Sequence, residues 1–175
     1  QLPEPDLAKD MPEQPDDTTY VFTINEGVKF HNKPPVNGRV MTAEDVAFSL
    51  NRARTDAPSF VHKGDLISID TVEAVDPRTV RITTKFPNAV LLTTLAGYQF
   101  IVITPEAVDE FGDLKTDRAA IGTGAFVVDS ASTDQGAKLS RLPDYWRTGK
   151  PYLSDAFTGR GYGGLLTWAA AGFGA

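Results

Sequence analysis

Leu66-Ile67-Ser68-Ile69-Asp70-Thr71-Val72-Glu73-Ala74-Val75 and Thr79-Val80-Arg81-Ile82-Thr83-Thr84 are two runs rich in β-branched residues, and only Asp76-Pro77-Arg78 separates them. Three residues of that chemistry make a hairpin turn, so the two runs should pair antiparallel. No regular alternation of strand and helix surrounds them, and no internal repeat is visible. The chain therefore reads as α+β, with mixed sheets built from antiparallel hairpins and short helices, rather than as a doubly wound parallel sheet.

Upstream of this hairpin, Thr18-Thr19-Tyr20-Val21-Phe22-Thr23-Ile24 alternates Tyr20, Phe22 and Ile24 in the manner of a half-buried strand. Asn25-Glu26-Gly27 turns the chain, and Val28-Lys29-Phe30-His31 predicts a second short strand. Pro34-Pro35-Val36-Asn37-Gly38 must be a loop. Thr42-Ala43-Glu44-Asp45 then opens a helix expected over residues 43–53, because Thr42 can cap it and two carboxylates meet the positive end of its dipole. Val46 and Leu50, with Ala47 beside them, supply the apolar face.

Downstream, residues 89–95 predict a short apolar helix after Asn88, and Phe100-Ile101-Val102-Ile103 a buried strand. Thr104-Pro105-Glu106 starts a helix that Gly112 stops. The glycine turn Ile121-Gly122-Thr123-Gly124-Ala125 leads into a strand from Phe126 to Val128, whose antiparallel partner is expected at Ala137 to Leu142. Pro143-Asp144-Tyr145-Trp146 should close that hairpin with a packed aromatic corner.

The 175 residues carry 17 basic and 23 acidic side chains, a formal charge of -6, and no Cys. That sign opposes an electrostatic grip on nucleic acid, so no nucleic-acid partner is expected. Without Cys there is no disulfide framework, thiolate nucleophile or thiolate metal site, and His31 and His62 are the only imidazoles. Residues 1–17 hold Pro3, Pro5, Pro12 and Pro15 among acidic residues and read as an extended lead-in. Residues 158–175 are Gly-rich and apolar with no charge after Arg160, and Leu165 to Ala171 is far shorter than the ~20 residues a membrane span needs. This reads as a segment whose packing partner lies elsewhere, or as a docking tail. The chain opens Gln1-Leu2-Pro3-Glu4-Pro5 rather than with Met, a basic stretch and an apolar run, so any targeting segment has been removed or was never included, which says nothing of destination.

Candidate chemistry is sparse. Gly122-Thr123-Gly124 lacks both the Lys-Ser/Thr ending of a phosphate loop and a third spaced Gly, so a structural turn is the plainer reading. His31 and His62 are not at metal-binding spacing, and no metal or cofactor is expected. Glu44-Asp45 suits the start of a helix, and Asp109-Glu110 a solvated helix face. Ser59, His62 and Asp65 could be drawn into a nucleophilic set, but no nucleophile-elbow pattern surrounds Ser59. No enzyme is expected. Tyr98, Gln99 and Phe100 are different: two rings and an amide at a helix-to-strand junction could line a cleft.

Read in order, these pieces resemble a known family. Tyr20-Val21-Phe22-Thr23-Ile24, Gly27-Val28-Lys29-Phe30-His31 and Thr42-Ala43-Glu44-Asp45-Val46-Ala47-Phe48-Ser49-Leu50 come first. Pro105-Glu106-Ala107-Val108, Gly122-Thr123-Gly124-Ala125-Phe126, Pro143-Asp144-Tyr145-Trp146 and Gly149-Lys150-Pro151-Tyr152-Leu153 follow. The series resembles the family 5 extracellular solute-binding proteins, the peptide, oligopeptide and nickel receptors of ABC importers, over roughly residues 7–157. Two departures stand out: residues 32–40 form a longer loop than the family's short Asp-Gly turn, and Ala125-Phe126 replaces its Pro-Tyr.

The resemblance implies part of a two-lobed periplasmic-binding-protein fold of type II. Residues 18–157 would be the N-terminal lobe with its flanking subdomain, and residues 158–175 a segment of uncertain connection. It implies a receptor that catalyses nothing, captures peptides or another small solute between lobes, and hands them to an ABC permease in the membrane. A monomer is implied, in the periplasm or another extracytoplasmic location, with a lipid anchor left open. Tyr98, Gln99 and Phe100 would then be the solute-facing residues. The alternative is a non-transport interaction or structural module that reuses the same subdomain in a larger assembly.

Overall fold

The computed structural model describes residues 3–56, 60–112, 114–132, 134, 136–147 and 156–159, the last four by their backbone alone. The chain forms two compact units. One comprises Gln1–Glu26 with Thr42–Val102, the other Gly27–Met41 with Ile103–Ala175.

The first unit contains β1 (Glu13–Asp16), β2 (Thr19–Thr23), α1 (Ala43–Asn51), β3 (Ile69–Asp76), β4 (Thr79–Thr84) and α2 (Leu91–Leu95). Its sheet is antiparallel throughout, in the order β1-β2-β4-β3, and the β3–β4 hairpin is the one predicted. Period-two alternation puts two apolar rows on one face: Tyr20, Ile82 and Val72 across three strands, then Phe22, Val80 and Ala74. Arg81 and Glu73 pair across the opposite, solvated face. β1 is an exposed edge strand carrying Pro15, a residue that an edge tolerates because it cannot donate to a ladder.

Helix α1 lies on the hairpin, burying Ala43, Ala47 and Leu50, and both its ends are fastened there. The Ala43 amide donates to the Pro77 carbonyl (2.9 Å), and the Asn51 side chain donates to the Val72 carbonyl (3.0 Å). At the start the Asp45 carboxylate reaches back to accept the Thr42 amide at 2.8 Å. The α-helix stops at Asn51 rather than at residue 53, and Arg52–Asp56 continue as a π-helical turn. There the Arg54 guanidinium donates to the Asn51 side chain at 2.9 Å.

Two other boundaries move inward for local reasons. Strand β3 begins at Ile69 because Lys63–Leu66 form a 3-10 turn in which Leu66 is buried and Ile67 exposed. Helix α2 begins at Leu91 because the Asn88 side chain takes the Val90 amide at 3.1 Å. Asn88 is itself held by the buried Tyr20, whose hydroxyl donates to the Asn88 carbonyl at 3.1 Å.

The second unit contains α3 (Pro105–Phe111), β5 (Phe126–Ser132), β6 (Gly136–Arg141) and β7 (Ala156–Gly159), with sheet order β5-β6-β7 and antiparallel pairing. Phe126, Val128, Ala137 and Leu139 form its core cluster, with Ala120, Ala125 and Ala131 against it. Helix α3 has the predicted start: Thr104 Oγ1 accepts the Ala107 amide at 3.2 Å and Pro105 occupies the first turn. Strand β7 has no counterpart in the sequence reading, since four residues ending in Gly carry too little pattern. The Gly-rich segment beyond residue 159 lies outside the described residues.

Val28–His31 does not form a hairpin with β2. It is extended and belongs to the second unit, where a single bridge joins Lys29 to Val40, flanked by the Phe30 amide on the Arg39 carbonyl (3.0 Å) and the Met41 amide on the Val28 carbonyl (2.8 Å). Asn37 and Gly38 (φ 54° and 73°) reverse the chain between them. Arg39 binds Glu106 through two contacts, Nε to Oε1 at 2.6 Å and Nη2 to Oε2 at 2.8 Å, and its guanidinium lies 5.1 Å over the Phe30 ring. Phe30 itself is almost wholly buried.

Candidate functional site

The predicted solute-facing residues occupy a reverse turn in the first unit. Helix α2 is only five residues long. It runs out as the Ala96 amide bonds the Leu92 carbonyl (3.0 Å) and the Gly97 amide the Thr94 carbonyl (3.0 Å). The Phe100 amide then donates back to the Gly97 carbonyl at 3.1 Å, closing a turn whose two central residues are Tyr98 and Gln99. Tyr98 is 59% exposed, whereas Phe100 is buried. The expected strand from Phe100 to Ile103 does not form: residues 101–104 have no regular secondary structure, and the Phe100 amide is spent on closing the turn.

Phe100 anchors this turn. Its ring meets Phe60 edge-on, with centroids 6.0 Å apart and planes at 70°, and Phe60 meets His62 in the same manner at 5.9 Å and 62°. The His62 Nδ1 lies 3.1 Å from an Asp65 carboxylate oxygen. A string of contacts thus joins the 3-10 turn to the candidate site. Sequence reasoning missed Phe60, which stands outside any periodic segment and gives no signal of its ring partner.

Gly122-Thr123-Gly124, in the second unit, is occupied from within. The His31 amide donates to the Gly122 carbonyl (2.8 Å), the Gly122 amide donates to His31 Nδ1 (3.3 Å), and Nε2 lies 2.9 Å from the Gly124 carbonyl. An Nδ1 that accepts and an Nε2 that donates define the neutral imidazole protonated on Nε2. Burial is the largest influence on this ring and holds its pKa below the ordinary 6.5, and the Lys33 ammonium pushes the same way. Lys33 in turn donates to the Asp117 (2.8 Å) and Val128 (3.0 Å) carbonyls, and its own pKa is lowered by partial burial. Two carbonyls and one amide of the glycine loop are therefore engaged by His31, as suits a structural turn.

The remaining candidates do not assemble. His62 and Asp65 are paired at the surface, and Ser59 lies outside the described residues. Asp45 is spent on the helix start, while Asp109 and Glu110 are exposed. Tyr145 and Trp146 pack edge to face at 5.7 Å, and Arg147 lies over the indole. Among the described residues no three His, Asp or Glu side chains converge as metal ligands. Nor is any described helix long and apolar enough to cross a membrane.

Solved structures share this fold. A mannopinic acid complex of MoaA from A. tumefaciens R10 is 33% identical and superposes with a TM-score of 0.69 over 82% of this chain and 28% of that one. DppA from Helicobacter pylori, bound to the peptide STSA, is 28% identical with a TM-score of 0.71 over 82% of this chain and 31% of that one. The fold class is thus that of part of a type II periplasmic binding protein. Residues 3–156 match the bacterial extracellular solute-binding proteins, family 5, and the chain belongs to that family of receptors, which are not enzymes. The glutathione-binding protein GsiB of Escherichia coli K12 is 29% identical over 154 residues, 88% of this chain. The chain spans about three-tenths of the length of the curated relatives it matches.

Proposed function

We propose that the protein is the solute-binding component of an ABC importer, working as a monomer in the periplasm or an equivalent extracytoplasmic space. It captures a peptide or another small polar solute between two lobes and delivers it to a membrane permease. Residues 18–157 supply the first lobe and its flanking subdomain, preceded by the 1–17 lead-in and followed by the Gly-rich segment. Within the first unit, Tyr98 and Gln99 meet the solute while Phe100 holds their turn in place. The observation that carries this reading is the family match along residues 3–156, together with the likeness to binding proteins solved with a peptide and with mannopinic acid.

The test is solute binding by the polypeptide as its host makes it. Glutathione, the tetrapeptide Ser-Thr-Ser-Ala and mannopinic acid serve as probes in calorimetry, with small-angle scattering to follow lobe closure. Saturable binding of one probe with a more compact form supports the receptor. No binding from these probes or from a random peptide library, together with a stoichiometric partner that is not a permease, would favour the interaction-module reading instead.

A further inference from the structure

The turn at residues 97–100 holds a steric arrangement that the sequence does not announce. A Cβ placed on Gly97 would lie 2.5 Å from Gln99 Oε1 and 2.7 Å from both Cδ and Nε2 of the same side chain. The carboxamide of Gln99 is therefore folded back onto the bare α-carbon of Gly97, closer than any β-carbon would allow. Gly97 does not adopt a positive φ, in contrast to Gly27, Gly38, Gly112 and Gly136. Its backbone accepts an alanine without strain, and what glycine supplies here is space. The backbone on each side is already fixed, by the Gly97 amide on Thr94 and the Phe100 amide on Gly97, and the ring of Phe100 is held by Phe60. Gln99 is thus the side chain of the turn whose place depends on Gly97 having no β-carbon.

We infer that Gly97 is a positioning residue: its missing side chain leaves the room in which the Gln99 carboxamide lies, an orientation that any β-carbon there would forbid and the one in which it bonds an amide-bearing solute. This rests on the reading of Tyr98 and Gln99 as solute contacts. A primary amide offers both a donor and an acceptor to such a solute. Because the obstructing atoms are the far end of a flexible chain, Gly97→Ala displaces the carboxamide and leaves the fold intact.

The experiment compares the wild type, Gly97→Ala, Gln99→Ala and the double variant of the polypeptide as its host makes it. Crystal structures of the wild type and Gly97→Ala come first, then calorimetry with glutathione and Ser-Thr-Ser-Ala. In the wild type the carboxamide should rest on Gly97, and in Gly97→Ala it should be displaced with no change in the path of residues 97–100. Binding of whichever probe the wild type takes should weaken about threefold to tenfold in Gly97→Ala, the range of one neutral hydrogen bond, and should not change further when alanine is added at Gly97 of the Gln99→Ala variant. A carboxamide that keeps its place beside Ala, or that is already off Gly97 in the wild type, overturns the inference whether or not a probe binds. An equal loss in both backgrounds overturns it too. A seat present in the crystals beside a wild type that binds no probe, a random peptide library included, removes the solute contact and overturns the positioning role, whereas the receptor reading falls only when a stoichiometric partner that is not a permease is found as well.

Discussion

Two short glycine-containing turns in this molecule have opposite fates. Around Gly122-Thr123-Gly124 the loop carbonyls and an amide are taken by His31, which is itself fully buried. Around Gly97-Tyr98-Gln99-Phe100 the backbone is equally well tied, yet Tyr98 is exposed and only Phe100 faces inward. The first turn spends its polar groups on the fold, and the second spends an aromatic ring on the fold and keeps its polar groups at the surface. Glycine content alone does not distinguish an open turn from an occupied one. What distinguishes them is whether a buried partner already occupies the turn.

The largest expected effect falls on the occupied turn. His31→Ala leaves a cavity and strips the Gly122 amide and Gly124 carbonyl of their partner, and should cost about 3 kcal/mol or more in urea unfolding. A loss below about 1 kcal/mol would show the knot to be dispensable. Arg39→Ala should come next, at about 1–2 kcal/mol, because it removes a two-point ion pair with Glu106 and a guanidinium packed over Phe30.

Acid provides a third contrast. The folded His31 has a pKa below 6.5, so the unfolded chain binds more protons there and stability rises with pH. The contribution is complete above about pH 6.5, the unfolded value, and is lost as pH falls from there through the folded pKa. Urea midpoints between pH 7.5 and 5 should decline in the wild type and flatten in His31→Ala. The Glu106 carboxyl, lowered chiefly by its hydrogen bond from Arg39, has the same sign but acts in the lower carboxylate range, so Arg39→Ala should leave the His31 decline in place.

The smallest stability effect belongs to the exposed turn. Tyr98→Ala should change unfolding by less than about 0.5 kcal/mol, as surface substitutions do, while weakening solute binding. A loss of stability comparable with that of His31→Ala would erase the distinction between the two turns.

Much of the fold was legible because its signals are local. The Asp76-Pro77-Arg78 turn and its two β-branched flanks announced the central hairpin, and Thr104-Pro105 with Gly112 bracketed α3. The failures are equally instructive. Phe100–Ile103 has the composition of a strand but its first amide closes a turn, and Val28–His31 follows a turn yet bridges through Lys29 to Val40, eleven residues on, information that no window on β2 contains. Tyr98, Gln99 and Phe100 were found as a group by composition at a junction. Their division into an exposed ring, a seated amide and a buried anchor depended on Phe60 and on the empty space at Gly97.

By itself the sequence determined the α+β class, the β3–β4 and β5–β6 hairpins, the starts of α1 and α3 and the absence of thiol chemistry, all of which follow from residue type and short-range spacing. The ordered run of motifs likewise pointed to the solute-receptor family. Tertiary structure alone decided that residues 27–41 join the second unit, that His31 is neutral and internal, and which side chains of the 97–100 turn remain available. Those outcomes depend on which distant groups meet in space, and contact between residues some ninety positions apart, as between His31 and Gly124, leaves no trace in local pattern.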